Sequence, residues 1–245
     1  MANWNDPNMA ASGFGTVGTA DGAVDAGLRS YMLSVYNYMA SGVLLTGVVA
    51  LLFSRWSGAP DLLFGPGPIK YVIMLAPLAF VMVLSFGINK LSTAAAQALF
   101  WAFSAVMGVS LASIFFVYTD ASIAQTFFAT AAAFLGLSLY GYTTKKDLSG
   151  FGTFLIMGVF GILVAMVLNA FIFKSSALDL AISVIGVLVF AGLTAYDTQK
   201  IKSMYFHVRG SDFVGKSVVM GALNLYLDFI NMFLFLLRLF GSSRN

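Results

Sequence analysis

Two aspartates, Asp197 and Asp228, lie in the last two of about seven hydrophobic stretches of the chain. A carboxylate at membrane depth costs about 2.5 to 3.5 kcal/mol on insertion scales, so such residues normally face a bundle interior or a water-filled path. Proton exchange and the binding of hard cations are the chemistry open to them there. These two acids are therefore the first candidates for functional residues.

Asp228 belongs to a stripe of small and polar residues in the last stretch: Ser217, Gly221, Asn224, Asp228 and Asn231. Their spacing of four, three, four and three residues places them on one helical face. Asp228 is about three turns past Ser217 and so lies near the membrane midplane. We predict that the stripe faces inward. The alternative is an aspartate that only joins two helices by a hydrogen bond.

Asp197 is harder to place from spacing alone. It shares a helical face with Phe190 and Thr194, and Lys200 follows one turn later. An acid beside lysines at a helix end is often an ordinary interfacial residue. The pattern leaves both an interior and an interfacial position open.

The composition identifies an integral membrane protein. Of the 245 residues, 60% are hydrophobic and only 9% are charged, with 24 Phe and 12 Met. The net charge of +3 suits contact with anionic headgroups better than binding of nucleic acid, which we do not expect. The absence of cysteine excludes disulfides, thiol nucleophiles and thiolate metal sites.

The apolar stretches each have about the 20 residues that a membrane-spanning helix needs. We predict an all-α bundle of seven transmembrane helices at residues 31–54, 69–88, 94–118, 121–142, 151–173, 178–198 and 217–240. Residues 1–30 are polar and rich in Gly and Ala, without the pattern of a signal peptide, and we predict a disordered tail there.

The distribution of basic residues predicts a cytoplasmic N-terminus. In a seven-helix arrangement, eight Lys and Arg share the side of the N-terminus and five lie on the other. A re-entrant final segment would return the C-terminus to the cytoplasm with little change in this count.

Small residues recur at four-residue spacing in three stretches, a pattern typical of close helix packing in membranes. They are Ser104, Gly108 and Ala112; Ala132 and Gly136; and Gly161 and Ala165.

Three segments resemble the bacterial branch of the transmembrane Bax inhibitor motif family. They are 138–148 (SLYGYTTKKDL), 192–201 (GLTAYDTQKI) and 222–234 (ALNLYLDFINMFL), and the resemblance covers residues 31–241. It implies seven helices with a central last helix ringed by six others, and a pH-sensitive calcium leak across the bacterial inner membrane. It also implies that Asp197 and Asp228 form a hydrogen-bonded pair that senses pH.

Such a pair has suitable chemistry. Two carboxyls in contact cannot both ionise at low cost, so they titrate as a unit and protonation becomes a switch. When ionised they offer oxygen ligands to Ca²⁺, with Asn224, Asn231, backbone carbonyls and water as supplements. We expect weak binding of Ca²⁺ as the transported ion and no bound cofactor.

One departure from the family concerns gating. Relatives with a characterised latch carry an arginine near the end of the second helix, where this chain has 85–90 (SFGINK). Lys90 supplies a point charge there but not a planar bidentate partner. Tyr196, next to Asp197, is a further supporting polar candidate.

Two other functions compete with the leak. The paired aspartates resemble those of intramembrane aspartyl proteases, but Asp228 lacks the preceding Gly-x-Gly, and we expect no enzymatic activity. Some bacterial relatives are thought to modulate a membrane-bound ATP-dependent protease, in which case the polar tail would carry the function. Protons, Ca²⁺, the bilayer and this protease are thus the partners that the sequence suggests.

Overall fold

The structure is a computed structural model that describes the backbone of residues 16–244 and the side chains of residues 24–244. Over these residues it is an all-α bundle. The helices are α1 (Thr16–Ser54), α2 (Ala59–Phe64), α3 (Ile69–Gly87), α4 (Thr93–Leu111), α5 (Ile114–Val117), α6 (Asp120–Thr143), α7 (Ser149–Leu168), α8 (Ser176–Val208) and α9 (Val214–Phe240). A π-helical turn, Asn169–Phe173, continues α7.

Seven segments of the described chain are long and apolar enough to cross a membrane, as predicted. They are Val24–Ser54, Ile69–Gly87, Thr93–Val117, Asp120–Thr143, Ser149–Phe173, Ser176–Val208 and Val214–Phe240. Local signals set several of their starts. Ser92, Thr119 and Ser175 each accept a hydrogen bond of 3.1–3.3 Å from the backbone N–H three residues later, which satisfies a free donor of the first turn.

The first helix begins earlier than predicted. It starts at Thr16 instead of residue 31, so a disordered tail over 1–30 is wrong for residues 16–30, while residues 1–15 lie outside the described part of the chain. Leu28 and Tyr31 are buried, and the Tyr31 ring lies 5.4 Å from that of Tyr205 near the end of α8. Tertiary packing therefore stabilises turns that composition alone marks as polar.

The sixth span ends later than predicted, at Val208 instead of residue 198. Ile201, in the added turns, is 1% exposed, because it packs near Gly221 and Val35. Lys202 extends its ammonium to the carbonyl of Tyr142, 2.8 Å away. These turns are amphipathic, so a hydropathy window ends before the helix does.

The last helix, α9, is the central one. About 72% of its membrane-crossing window is buried, against 11–39% for the other six spans. It packs against α1, α4, α6 and α8. The expected ring of six is only partly correct, because α3 packs chiefly against α4, and α7 chiefly against α8, in an outer layer.

The final helix crosses the whole bundle and is not re-entrant. It runs without a break from Val214 to Phe240, about 40 Å at the rise of an α-helix. Arg238 in its last turn forms an ion pair of 3.3 Å with Asp179 in the first turn of α8. The two helices are therefore antiparallel, and the C-terminus lies on the side opposite the start of α1.

Candidate functional site

The register between α8 and α9 places the two aspartates. Gly186 lies against Phe235 at one end of the helix pair, and Ile201 lies against Gly221 at the other. In this antiparallel register Asp197 is level with Leu225, and Asp228 lies about one turn, roughly 5 Å, deeper along the bundle. Asp197 precedes the end of α8 by about three turns, so it is not at the helix end that spacing alone left open.

Asp228 is an acid in the core of the bundle. Its side chain is on the most buried helix, and the residue is 4% exposed. Its Oδ2 atom is buried and has no hydrogen-bond donor among the described residues. A buried carboxylate without a partner is costly, and such groups persist in proteins mainly at functional sites. The observation agrees with the inward position predicted for Asp228.

Asp197 is partly buried beside it. The register places the two acids about one turn apart on neighbouring helices, but no hydrogen bond joins their carboxyl groups within the described residues, so the hydrogen-bonded pair that the resemblance implies is not seen. Lys200 is exposed, one turn beyond Asp197 toward the end of α8. The structure thus gathers two acids and one cation on facing helices.

The other supporting candidates divide into two groups. Asn224 and Asn231 lie on a half-buried edge of α9, on the same face as Asp228. Asn231 already donates a hydrogen bond of 2.8 Å to the carbonyl of Leu227 in its own helix. Their amide oxygens are thus near the acids in the helical register, at the border of the buried core.

Tyr196 and Lys90 are not part of this group. Tyr196 packs against Gly152 of α7, with the ammonium of Lys200 5.8 Å from its ring. Lys90 is exposed beyond the end of α3 and forms no ion pair within the described chain. The cation nearest to Asp197 along α8 is Lys200, one turn later, inside the segment 192–201 that resembles the family.

Sequence reasoning missed a chain of hydroxyl groups next to the acids. The hydroxyl of Tyr36 bonds Ser138, Ser138 lies 2.9 Å from the hydroxyl of Thr198, and Thr198 donates to the carbonyl of Thr194 at 2.8 Å. This chain joins α1, α6 and α8, and Thr198 directly follows Asp197. The only sequence signal was Ser138, the first residue of a motif-bearing segment.

A second hydroxyl cluster ties α9 to α1 and α4. Tyr226 is fully buried, and its hydroxyl lies 2.6 Å from that of Thr46. Thr46 also donates to the carbonyl of Ser104 at 2.8 Å. The rings of Phe100 and Phe103 pack edge-on against Tyr226, so this half of the bundle is tightly packed around the central helix.

The site has few metal ligands. Within the described residues, no cluster of three or more His, Cys, Asp or Glu side chains could hold a metal ion. Asp197 and Asp228 would thus supply two carboxylates, and any further oxygen ligands for Ca²⁺ would come from amides, backbone or water.

Comparison with known proteins identifies relatives along nearly the whole chain. Residues 28–245 match the family described as "Inhibitor of apoptosis-promoting Bax1". The chain is 50% identical to "Inner membrane protein YbhL" of Escherichia coli (strain K12), covering 89% of this chain and 94% of that protein. An uncharacterized protein of Caulobacter vibrioides is 47% identical over 92% of this chain and 93% of its own length. "Uncharacterized protein RP147" of Rickettsia prowazekii is 46% identical, with 90% and 93% covered.

Proposed function

The chain belongs to the Bax inhibitor family, and from that premise we propose that it is a pH-sensitive calcium leak channel of the bacterial inner membrane. In this proposal Asp197 and Asp228 sense protons and control the path. The N-terminus lies in the cytoplasm. The inner-membrane location rests on the Escherichia coli relative, and the orientation rests on the distribution of basic residues.

The observation that carries the proposal is the unpartnered carboxylate oxygen of Asp228 at the centre of the most buried helix. A fixed hydrogen bond would make this acid a structural link between helices, but no donor among the described residues provides one. Two neighbouring carboxyls bridge favourably only when one of them carries a proton. The number of protons on Asp197 and Asp228 would therefore set whether these residues attract or repel each other.

The position of Lys200 supports a gating role for proton binding at Asp197 and Asp228. Lys200 is the cation one turn beyond Asp197 on α8, about two turns from the level of Asp228 in the register between α8 and α9. When both acids are ionised, Lys200 attracts them and opposes their repulsion; when they are protonated, this attraction is lost. Protonation would thus replace the attraction between Lys200 and Asp228 by a hydrogen bond between the two carboxyls, so the contact between α8 and α9 at this level would change with pH.

Calcium fits the same group as a transient ligand. Ca²⁺ prefers six to eight oxygen ligands, and two carboxylates with the amide oxygens of Asn224 and Asn231 supply part of such a set. Water would complete it. A site of this kind binds weakly, and an ion that crosses a leak path must leave as readily as it enters.

Calcium flux into liposomes tests the proposal. Purified protein is reconstituted into liposomes that enclose a calcium indicator, and calcium flux is measured between about pH 5 and pH 8. We expect a pH-dependent flux in the wild type that loses its pH dependence in Asp197→Asn and in Asp228→Asn. Asp179→Asn is the matched control, because Asp179 is an exposed acid on α8, paired with Arg238. An unchanged pH profile in either of the first two variants would contradict the proposal.

The same preparation separates the competing functions. A regulator of a membrane-bound protease that transports nothing would give no flux in any variant, and would lose its effect on the protease without its N-terminal segment. The deletion should remove residues 1–15 only, since α1 begins at Thr16. An aspartyl protease would cleave a transmembrane peptide, and a transition-state mimic would block that cleavage.

A further inference from the structure

A long apolar groove opens on the membrane-facing surface between α1 and α6. Its volume is about 780 Å³, and Phe229 of the central helix forms part of its floor. The groove exists because the two helices diverge: α1 packs against α4 and α9, whereas α6 packs against α8 and α9. This volume is within the range of small-molecule sites in proteins, about 300 to 1,000 Å³.

The lining of the groove is apolar along almost its whole length. Leu33 and Leu44 of α1 and Leu135 and Leu139 of α6 line it and are more than half exposed. The hydroxyls of Tyr36 and Ser138 also line it but bond to each other. Any ligand in the groove must therefore be a hydrocarbon over most of its length, since little polar lining remains for it to bond.

One end of the groove is positively charged. Arg29 lines this end together with Tyr142 of α6. The carbonyl of Tyr142 accepts a hydrogen bond from the ammonium of Lys202. Arg29 forms no ion pair with any acid of the described residues, and Lys145 and Lys146 follow α6 on the same side. The opposite end, at Leu44 and Phe127, is apolar.

The charged end and the apolar end of the groove lie where the headgroup and the acyl chain of a phospholipid lie in one leaflet. From Arg29 to Leu44 the groove extends for about 22 Å of helix, more than half of the roughly 30 Å hydrocarbon core. Its cationic end is thus at headgroup depth on the side where α1 begins, and its apolar end is beyond the midplane. Basic residues next to a membrane-spanning helix attract anionic headgroups.

We propose that the groove between α1 and α6 binds one acyl chain of an anionic phospholipid from the leaflet on the N-terminal side. The headgroup contacts Arg29, and the chain lies along α1 and α6 as far as Phe229. The lipid fills the gap between two helices that diverge, and it covers the hydroxyl pair of Tyr36 and Ser138. This inference concerns a binding site and does not depend on ion transport.

Photolabelling in vesicles tests the site. The protein is reconstituted in phosphatidylcholine with a small fraction of phosphatidylglycerol whose acyl chain carries a diazirine, and labelled peptides are identified by mass spectrometry after irradiation. We expect labels concentrated on the groove faces of α1 and α6. Unlabelled phosphatidylglycerol should compete for these positions, and phosphatidylcholine should not. Equal labelling of all lipid-facing helices, including α3 and α7, would overturn the proposal, as would equal competition by both lipids.

Two variants test the binding of the acyl chain and the binding of the headgroup separately. Ala131→Trp fills the groove and should remove most of its labelling, whereas Ala132→Trp, an exposed neighbour that does not line it, should not. Arg29→Gln should lower the labelling by phosphatidylglycerol roughly fivefold, the effect of one basic residue at a membrane surface. Lys70→Gln, at a partly exposed position at the start of α3 outside the groove, is its control. Equal labelling of Ala131→Trp and Ala132→Trp, or of Arg29→Gln and wild type, would contradict the site.

Discussion

Asp228 lies about one helical turn deeper in the bundle than Asp197, on a helix that runs antiparallel to it. The offset is reached because glycines at two levels, Gly186 and Gly221, let α8 and α9 pack closely. The two acids thus lie at different depths on neighbouring helices. The Oδ2 atom of Asp228 is buried and has no hydrogen-bond donor in the described chain, and this has a consequence for stability.

Asp228→Asn should make the protein more stable while it removes the pH response. An ionised carboxylate without a partner costs several kcal/mol in a protein interior, and a neutral amide of the same shape costs about 1–3 kcal/mol. We therefore expect the variant to unfold at a higher temperature than the wild type in detergent at alkaline pH, where the Asp228 carboxyl is ionised, and the difference to shrink in acid, where this carboxyl is protonated. Thermal unfolding followed by circular dichroism measures this.

The comparison variant is Asp179→Asn. It removes an exposed ion pair with Arg238, which is worth about 1 kcal/mol or less. If Asp228→Asn were the less stable of the two, the Asp228 carboxylate would be a hydrogen-bonded link between helices, and the proton-sensing interpretation would lose its support.

Asp147→Asn should leave the pH profile of calcium flux unchanged. Hydrogen bonds from the side chain and backbone of Ser149 hold the pKa of the Asp147 carboxyl below its usual range. Because the folded value is below the unfolded value of about 3.9, this stabilisation is present above that pH and is lost only in stronger acid. Asp147 thus stays ionised wherever the flux is measured. A flattened profile in this variant would move the sensor from the bundle to the loop between α6 and α7.

Single cysteines test the orientation, because the chain has no cysteine of its own. Lys70 at the start of α3 is partly exposed, Lys145 after α6 is exposed, and the two lie on opposite sides of the bundle. With a cytoplasmic N-terminus, a membrane-impermeant maleimide should label Lys70→Cys in intact spheroplasts and Lys145→Cys only after lysis. The reverse pattern would invert the proposed topology and place Arg29 and the charged end of the groove outside.

The sequence predicted the spans well because hydropathy records which residues must avoid water. It misplaced two helix ends, the start of α1 and the end of α8, because packing and not composition decides where these helices begin and end. The early turns of α1 bury Leu28 and Tyr31, and the late turns of α8 bury Ile201, with polar residues between them. Such turns depend on neighbouring helices that a local window does not contain.

The spacing of small residues predicted close packing in three helices, and the prediction is correct for one of them, α4. Ser104 and Gly108 are buried where α4 packs against α1. Gly136 and Gly161 have open space beside them, and the backbone contact on α6 is made instead by Gly141, against the carbonyl of Ala195. A periodic pattern identifies a face of a helix but not the partner of that face, so contacts between helices require the structure.

The same limit applies to the site. The stripe of small and polar residues on the last helix predicted an interior position for Asp228, because a carboxylate near the membrane midplane normally faces the interior of the bundle. The charge of Lys200 and the hydroxyl chain of Tyr36, Ser138 and Thr198 depend on the register between helices. Spacing within one helix does not contain that information.

The hydroxyl cluster around Tyr226 gives the last prediction. Tyr226→Phe should cost about 1 kcal/mol or less, because Thr46 keeps its second hydrogen bond to the carbonyl of Ser104. Thr46→Val has nearly the same shape but leaves the buried Tyr226 hydroxyl without its partner, and an unsatisfied group of this kind costs about 1–3 kcal/mol. Thermal unfolding should therefore rank Thr46→Val as the less stable variant. Thr143→Val, at an exposed position where the hydroxyl bonds only its own helix, is the control and should change little. The opposite order would mean that the Tyr226 hydroxyl finds another acceptor in the core, so that α1 and α9 are not joined through Thr46.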